Sequence, residues 1–337
     1  MIVLGIESSC DECSLALVED GKKILSHVVA TQIPFHAPYH GVVPEIASRK
    51  HTEWILPVYR QTLAQAGMNP QKIDGISVAN RPGLSGSLLV GLSFAKGLSL
   101  GLNKPFVAVD HVLAHLYAPQ LEFDIPYPFL GLLVSGGHSI ICRVDDFHQV
   151  QVLGASIDDA CGEAFDKVAK HLNLGYPGGK QIDQLARKGN PRAFRFPVAN
   201  LYKGQHTYDV SYSGLKNAVI NQRELFWDGT SPQTLENICA SFEKVAIDTL
   251  LKKVILAAKK TGIPRVVAGG GVAANTYLRT ALKASVGLEV YYPSLELCTD
   301  NGAMIAGLGY HFLKQGIQGS LRENVHPRVQ GFRKLQA

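Results

Sequence analysis

The feature that most constrains the fold is a pattern of strands and helices that occurs twice along the chain. In the first half, the short runs IVLGIES, SLALVED and KILSHVVA predict three strands, followed by helix, strand, helix and strand. In the second half, FLGLLVSG, HSIICRVD and HQVQVLGAS predict three further strands, followed by the same succession. Alternating strands and helices predict two α/β lobes with largely buried sheets, and such a duplication favours ligand binding between the lobes.

The same patterns give approximate bounds for the helices and the lobes. Long helices are predicted at Glu45–Ala66, Leu84–Leu100, Pro232 to about Lys260, and Ala274 to about Ala284. Shorter helices are predicted in IDDACGEAFDKVAKHLNL and in NGAMIAGLGYHFLKQG. We place the first lobe at residues 1–127 together with about 299–337, and the second lobe at residues 128–298.

The composition is that of a folded protein without a membrane anchor. Of the 337 residues, 46% are hydrophobic and 18% are charged, with no low-complexity run. We find no apolar segment approaching the roughly 18 residues that span a bilayer, and the start MIVLGIESSCDE turns acidic early, so we expect a cytoplasmic protein. Six cysteines without a regular framework fit reduced thiols, and Cys10 and Cys13 lack the second pair that a zinc ribbon needs.

Three glycine-containing turns are candidates for binding phosphate. VSGGHS, residues 134–139, lies at the first hairpin of the second lobe, where Gly-Gly is also an ordinary hairpin turn. In VVAGGGVAANTYLR, an apolar strand ends in three glycines and runs into a helix, which favours an anion beside the helix N-terminus. This is not the G-x-G-x-x-G of a Rossmann dehydrogenase. The third turn, YPGGKQID, ends at Asp183.

A pair of histidines is the candidate metal site. VAVDHVLAHLY places His111 and His115 four residues apart after a predicted strand, so on a helix they would share a face and could bind one metal ion. A peptidase of the H-E-x-x-H type would have a glutamate at Val112, which counts against that activity. A third ligand is needed, and Asp300 in CTDNGAMIA is either this ligand or the N-cap of the last helix.

Taken in order, these pieces resemble one family of enzymes. The stretches that carry the resemblance extend from residue 4 to about residue 306 and are GIESSCDE, HGVVPEIASRKH, PGLSGSLLVG, LLVSGGHS, IDDACGEAFDKVAK, YPGG, YSGLKN, GGGVAANTYLR and CTDNGAMIA. They are similar to the bacterial form of the universal tRNA N6-adenosine threonylcarbamoyltransferases, formerly called O-sialoglycoprotein endopeptidases. The resemblance implies an α/β, two-lobed, actin-like ATPase fold of the hsp70 and hexokinase type, with a duplicated βββαβαβα core.

The resemblance also implies a reaction and the residues that carry it. The reaction is transfer of the threonylcarbamoyl group from threonylcarbamoyl-AMP to N6 of adenosine 37 in tRNAs that read ANN codons, with release of AMP. One divalent metal ion, Fe2+ with Zn2+ as the alternative, would lie in the cleft between the lobes on His111, His115 and Asp300. Asp11 and Glu12 would be catalytic, and the substrate contacts would be Leu133, Val134, Ser135, Gly136, Gly137, Asp166, Gly179, Asp183 and Asn275.

The implied partners are tRNA, a shorter paralogue of the same fold (TsaB-type) in a heterodimer, and a small P-loop ATPase (TsaE-type). The net charge of +5 and the pI of about 8.8 are compatible with a polyanionic partner. Candidate tRNA contacts, each equally explained as solvated surface, are Arg49, Lys50, Lys216 and the tail residues Arg322, Arg328, Arg333 and Lys334. The rival functions are a metallopeptidase, a non-catalytic scaffold and a small-molecule kinase.

The chain departs from the family pattern at three places. Leu113 and Ala114 stand where Glu-Gly is usual, between the two histidines. Asn80 and Arg81 replace part of a stretch that usually contains glycine, and Cys13 replaces a usual threonine. These differences bear on the surroundings of the metal ligands and on partner contacts rather than on the type of reaction.

Overall fold

The computed structural model describes residues 1–201, 203–226 and 232–328. The chain forms two compact units, of which the first comprises Met1–Ile125 and the described chain from Pro293 onward, and the second comprises Pro126–Tyr292. The boundaries predicted after residues 127 and 298 are therefore both too late. The segment before the last helix belongs to the first unit, where the Ser294 amide donates to the Glu122 side chain at 2.6 Å.

The first unit is built on one mixed sheet. Its strands are β1 (Ile2–Glu7), β2 (Glu12–Glu19), β3 (Lys23–Thr31), β4 (Gly75–Arg81) and β5 (Phe106–Asp110). The first three form an antiparallel meander, and β4 and β5 continue the sheet in parallel on the other side of β1. The strand order is β3-β2-β1-β4-β5.

The second unit repeats this arrangement. Its strands are β6 (Phe129–Val134), β7 (Ser139–Asp146), β8 (Gln149–Ala155), β9 (Arg265–Gly269) and β10 (Glu289–Tyr291). Their order is β10-β9-β6-β7-β8, with an antiparallel meander β6-β7-β8 and with β9 parallel to β6. In both sheets the spatial order is thus third, second, first, fourth, fifth strand, which confirms the duplication predicted from the sequence.

The helices lie between and after these strands. In chain order they are α1 (Ile33–His36), α2 (Pro44–Ala66), α3 (Ser85–Leu102), α4 (His111–Tyr117), α5 (Cys161–His171), α6 (Gly178–Ala186), α7 (Ser213–Phe226), α8 (Pro232–Thr261), α9 (Thr276–Lys283), α10 (Leu295–Cys298) and α11 (Gly302–Lys314). The predicted long helices correspond to α2, α3, α8 and α9, and the shorter ones to α5 and α11. Helices α6 and α7 were not predicted.

Helix α6 begins inside the YPGG stretch that had been interpreted as a turn. Pro177 precedes its first residue, Gly178, which lies against α5. A Cβ at position 178 would lie 2.2 Å from the Ala169 Cβ, so only glycine allows the two helices to approach this closely. Gly179 and Asp183 therefore lie on a helix and not in a turn.

Helix α11 packs directly on the first sheet and is buried along most of its length. A Cβ at Gly5 in β1 would lie 2.0 Å from the Gly302 carbonyl oxygen, and a Cβ at Gly302 would lie 2.7 Å from the Ala16 amide nitrogen in β2. Glycine on both sides thus permits backbone-to-backbone contact. This contact fixes the position of the residues just before α11, which include Asp300.

Helix α3 corrects the prediction that no segment is long and apolar enough to span a bilayer. Its 18 residues, Ser85–Leu102, have a mean hydropathy of 1.3 and satisfy that criterion by length and composition. The helix contacts β4 and α2, and its face containing Leu88, Leu92 and Ala95 is buried in the first unit. The buried apolar face and the absence of charged residues other than Lys96 account for the hydropathy, and Leu89 and Leu100 add to it although they are exposed.

Candidate functional site

The two histidines lie on α4, which follows β5 without a loop. Asp110, the last residue of β5, caps the helix, because its Oδ1 accepts hydrogen bonds from the amides of Val112 (2.8 Å) and Leu113 (3.3 Å). The helix therefore begins at His111, and His115 follows one turn later on the same face. The two ring centroids are 4.5 Å apart, and both rings are buried.

Asp300 completes a cluster with the two histidines. The N-cap of α11 is Asn301, whose Oδ1 accepts a hydrogen bond from the Met304 amide at 2.9 Å, so Asp300 is not the cap. Asp300 Oδ1 lies 3.0 Å from His115 Nε2 and 3.5 Å from His111 Nε2. The spacing of the sequence left cap and ligand open, and the structure assigns the cap to Asn301 and leaves the Asp300 carboxylate facing the histidines.

The donor set of this cluster fits a divalent metal ion. One ligand atom from each of His111, His115 and Asp300 lies within 4.8 Å of the others, and this is the one such group of three among the described residues. Two imidazole nitrogens with one carboxylate oxygen suit Zn2+, Fe2+ and similar ions. The set leaves coordination positions for a substrate, since it contributes only three protein ligands.

The electrostatics of the two histidines differ. Burial lowers the pKa of His111, but the carboxylates of Glu7 and Asp300 outweigh this effect and raise the pKa to about 9. Burial and the neighbouring His111 lower the pKa of His115, which favours its neutral form. Glu7 is fully buried at the end of β1, and its Oε2 lies 2.8 Å from His111 Nδ1.

The turn that contains Asp11 and Glu12 belongs to the same unit. It joins β1 to β2, and the Gln32 amide donates to the Asp11 carbonyl oxygen at 2.8 Å. Thr31 Oγ1 donates to Glu12 Oε1 at 3.4 Å. Burial, Asp11 and Asp300 together raise the pKa of the Glu12 carboxyl well above its ordinary value. This turn therefore lies in the electrostatic field of Asp300.

Burial determines the protonation state of the cysteines in this turn and at the start of β2. Burial raises the pKa of Cys10 well above its ordinary value and that of Cys13 to about 12. At neutral pH both side chains are therefore thiols rather than the thiolates that bind metals or attack disulfides. Cys13, one of the departures from the family pattern, is a buried core residue of β2.

Two of the glycine turns adjoin each other in the second unit. The VSGG turn connects β6 to β7, as predicted, and Gly136 and Gly137 are exposed at its tip. Gly270 has a φ of +89°, and a Cβ there would lie 2.4 Å from the Val134 carbonyl oxygen. The GGG segment thus packs on the base of the VSGG turn, where Leu133 and Val134 are buried. Glycine is required for this contact.

The GGG segment does not run directly into a helix, as had been predicted. A short 3₁₀ turn, Gly271–Ala274, precedes α9, and Asn275 then caps that helix. Asn275 Oδ1 accepts a hydrogen bond from the Leu278 amide at 2.8 Å, while its Nδ2 donates to Glu243 Oε1 at 2.6 Å. The structure thus gives Asn275 a capping role that a sequence pattern of glycines does not reveal.

The other predicted contact residues of this unit lie on α5 and α6, and Asp183 is hydrogen-bonded to the start of α9. Asp183 is buried on α6, and its Oδ1 accepts hydrogen bonds from the amide (3.1 Å) and the hydroxyl of Thr276. Asp166 on α5 accepts a hydrogen bond at 2.7 Å from the amide of Gly178, the residue before Gly179. Glu243 on α8 was missed from the sequence, although a lone acidic residue in the apolar stretch ICASFEKVA was a signal for it.

Comparison with known proteins identifies the family. The model of the tRNA N6-adenosine threonylcarbamoyltransferases matches residues 23–307. The enzyme of that name from Treponema denticola is 61% identical over 334 residues, which cover 99% of each chain. The one from Treponema pallidum is 52% identical over 334 residues, 99% of this chain and 95% of the other. This chain belongs to the tRNA N6-adenosine threonylcarbamoyltransferase family. It is therefore a transferase that modifies tRNA.

Two solved structures with a similar fold are distant from this chain in sequence. Full-length HypF, in its phosphate- and nucleotide-bound form, has a TM-score of 0.63 at 14% identity, over 95% of this chain and 47% of HypF. Component A of the Acidaminococcus fermentans (R)-2-hydroxyglutaryl-CoA dehydratase has a TM-score of 0.57 at 16% identity, over 92% of this chain and 98% of the other. They support the fold alone, which is the predicted actin-like ATPase fold.

The departures of this threonylcarbamoyltransferase from the family pattern have local structural roles. Asn80 is fully buried at the end of β4, and its Nδ2 donates to Glu323 Oε1 (3.1 Å) and to the Asn324 carbonyl oxygen (3.0 Å). Arg81 donates in turn to Asn80 Oδ1 at 3.1 Å. These bonds attach the chain after α11 to the first sheet. Leu113 and Ala114 lie on α4 between the histidines.

The basic residues predicted to contact tRNA already have acidic neighbours. On the surface of α2, Arg49 pairs with Glu45 at an N–O distance of 2.6 Å, and Lys50 pairs with Glu53 at 2.7 Å. Lys216 is less exposed and pairs with Asp159 at 2.7 Å. Arg322 and Arg328 are exposed, and the predicted contacts Arg333 and Lys334 lie outside the described residues. The exposed tail arginines thus remain better candidates than Lys216.

Proposed function

We propose that this transferase uses threonylcarbamoyl-AMP as donor and modifies N6 of adenosine 37 in tRNAs that read ANN codons, releasing AMP. The observation that carries the proposal is the convergence of His111, His115 and Asp300 in a chain of this family. In the reaction, the N6 lone pair attacks the carbonyl carbon of the donor, the bond from that carbon to the phosphate oxygen breaks, and N6 loses a proton.

The glycine turns would hold the AMP portion of the donor. Gly136 and Gly137 are exposed at the tip of the β6–β7 hairpin, so a phosphate group could approach their backbone closely. The network of Asp183, Asn275 and Glu243 fixes the start of α9 beside the GGG segment. In this proposal the network keeps the turns in place, and the backbone of Ser135–Gly137 contacts the nucleotide.

The metal ligands would be His111, His115 and Asp300, as predicted, with Fe2+ or Zn2+ as the ion. A divalent ion at this cluster would supply positive charge for the phosphate or carbonyl oxygen of the donor. The acid–base groups would come from the segment that joins β1 to β2. Asp11 or Glu12 would accept the proton that N6 loses, because both lie in the turn near Asp300.

The proposed reaction also implies a mode of tRNA binding, a location and partner proteins. An adenosine in an anticodon loop is unpaired and can be splayed into a pocket, so the enzyme would bind the loop as single-stranded RNA. We propose a cytoplasmic location, a heterodimer with a shorter paralogue of the same fold, and a small P-loop ATPase as further partner. Arg322 and Arg328 are the proposed phosphate contacts.

The test is transfer of labelled threonine to unmodified tRNA, with the adenylate-forming enzyme and both partner proteins present. The wild type is compared with the double variant His111→Ala/His115→Ala and with Asp11→Asn and Glu12→Gln. His206→Ala is the matched control, because His206 pairs with Asp209 at 2.8 Å in the second unit and is not a member of the cluster. We expect labelling by the wild type and the control, and at least a hundredfold slower transfer by the double variant.

Three outcomes would contradict the proposal in different ways. Equal labelling by the wild type and the double variant would make the histidines structural. No labelling by any protein, with an active relative labelling the same tRNA in parallel, would favour the scaffold function. Cleavage of a peptide substrate that depends on His111 would favour the peptidase, although Val112 occupies the place of the glutamate base which that mechanism uses.

A further inference from the structure

Glu7 is a buried carboxylate that the proposed reaction does not use. It ends β1 and is 0% exposed, although a carboxylate so placed loses its hydration and must be compensated by hydrogen bonds. Both of its oxygens have partners, since Oε1 accepts from the Ser9 amide at 2.6 Å and Oε2 lies 2.8 Å from His111 Nδ1. One side chain thus links the backbone after β1 to the first histidine.

The contact between Glu7 and His111 determines which imidazole nitrogen carries the proton. A carboxylate accepts hydrogen bonds only, so Nδ1 must be the protonated nitrogen when it faces Glu7 Oε2. The lone pair of the neutral ring is then on Nε2, the nitrogen that lies 3.5 Å from Asp300 Oδ1. The same hydrogen bond fixes the rotation of the ring about its bond to the backbone.

The two histidines of the cluster are not supported equally. Among the described residues, His115 Nδ1 is buried without a hydrogen-bond partner, so that ring has no hydrogen bond on the side away from Asp300. His111 has Glu7 and also Ser9 Oγ, 3.3 Å from its Nδ1. Loss of the Glu7 contact would therefore leave His111 Nδ1 with only the longer contact to Ser9 Oγ.

We propose that Glu7 is a positioning residue, which sets the tautomer and orientation of His111 so that Nε2 is available to a divalent metal ion. The inference rests on the proposed metal site. Groups that orient a metal-binding histidine in this way typically strengthen metal binding by about 10- to 100-fold. Glu7 contributes this affinity without touching the metal or the substrate.

Glutamine is an informative substitution because the amide, with one oxygen, cannot accept hydrogen bonds from both neighbours as the carboxylate does. If its oxygen accepts from the Ser9 amide, its NH2 faces His111 Nδ1 and drives the proton onto Nε2, the nitrogen needed for the metal. If the glutamine amide is flipped, its NH2 group faces the N–H of Ser9, and the hydrogen bond to Ser9 is lost. Glu7→Leu removes both bonds at similar volume. Asp209→Asn is the matched control, because Asp209 is 3% exposed and pairs with His206 in the second unit.

The experiment measures Zn2+ affinity of the metal-free full-length proteins by competition with a chromophoric chelator, and records the visible spectrum of Co2+ bound in place of Zn2+. We expect about one Zn2+ per wild-type chain, binding weakened about tenfold by Glu7→Gln and up to about 100-fold by Glu7→Leu, and unchanged binding by Asp209→Asn. The Co2+ spectrum of the Glu7 variants should change in position or intensity, since one ligand is reoriented.

A purely structural role of Glu7 gives a different result. Both variants would then have a lower thermal midpoint without metal, while the folded fraction would bind Zn2+ as tightly as the wild type, with the wild-type Co2+ spectrum. That result overturns the inference and leaves the metal site intact. If Glu7→Leu does not fold, Glu7→Gln alone decides. Absence of stoichiometric Zn2+ and Co2+ binding by the wild type would overturn the metal site and this inference together.

Discussion

The contact between α11 and the first sheet makes Gly302→Ala the most informative substitution outside the cluster. An added Cβ would lie 2.7 Å from the Ala16 amide nitrogen and 2.8 Å from the Leu15 carbonyl carbon. These atoms belong to the backbone of β2, so no side chain can rotate away. Reaching an ordinary contact of 3.4 Å requires a shift of about 0.6–0.7 Å, which the start of α11 must make.

This shift should lower stability and metal affinity together. Overpacking a core typically costs about 1–3 kcal/mol, and the rigidity of the β2 backbone puts Gly302→Ala at the upper end, about 3 kcal/mol. The shift would also break or lengthen the 2.9 Å hydrogen bond from the Gly302 amide to Ser14 Oγ. Asp300 lies two residues before Gly302, so its carboxylate would move relative to the two histidines. We expect at least tenfold weaker Zn2+ binding.

The assay combines urea unfolding, followed by circular dichroism, with the chelator competition. Gly97→Ala is the matched control, because Gly97 is an exposed residue within α3 and a Cβ there meets nothing within 4 Å. We expect this control to stabilise the protein by up to about 1 kcal/mol, since alanine favours the helix, and to leave Zn2+ binding unchanged. A Gly302→Ala protein with the wild-type urea midpoint and Zn2+ affinity would refute the reasoning.

Two further predictions concern the second unit. Burial, with the nearby Asp183, raises the pKa of Glu243 to about 7, so the folded protein retains a proton that the unfolded chain releases, and stability falls as the pH rises from about 4.5 to 7. Glu243→Gln should remove this loss of stability. Relative to the wild type, the variant should therefore be more stable by up to about 3 kcal/mol at pH 8 but by little at pH 4.5. A difference in urea midpoint that does not depend on pH would contradict this prediction. Lys253→Met removes donors to the carbonyl oxygens of Leu201 and Thr207, so we expect about 1–3 kcal/mol lower stability and faster tryptic cleavage at Lys203. Lys252 is an exposed neighbour, and Lys252→Met should leave both the stability and the rate of tryptic cleavage unchanged. Equal cleavage of the Lys253→Met and Lys252→Met proteins would count against the role of Lys253.

The fold could be predicted largely from its hydrophobic periodicity. Strands such as β1 and β6 consist largely of buried apolar residues, so their pattern is explicit in the sequence. Helix α6 could not be predicted because Pro177 and Gly178 are turn residues by propensity, whereas here Gly178 serves close packing against Ala169. Tertiary contact, not local preference, decides the conformation at that position.

The candidate site was only partly visible in the sequence. The pairing of His111 with His115 follows from helical spacing, but the role of Asp300 depends on which residue caps α11, and Asp300 and Asn301 are both good caps by propensity. Glu7 was not singled out because an acidic residue between a strand and a turn is ordinary. Its significance depends on burial and on a contact with His111, 104 positions away in the sequence.

The duplicated fold also explains how one architecture can supply two kinds of chemistry. The β1–β2 turn and the β6–β7 turn occupy the same place in their sheets, but the first carries Asp11 and Glu12 and the second carries Gly136 and Gly137. Carboxylates repel phosphate and accept protons, whereas glycine amides can approach phosphate and carry no negative charge. In the proposed reaction, exchange of either turn for the other would place acidic groups beside the adenylate or leave the amine without its proposed proton acceptor. The divergence of these two turns is therefore what the proposed transfer from an adenylate to an amine would require of a duplicated chain.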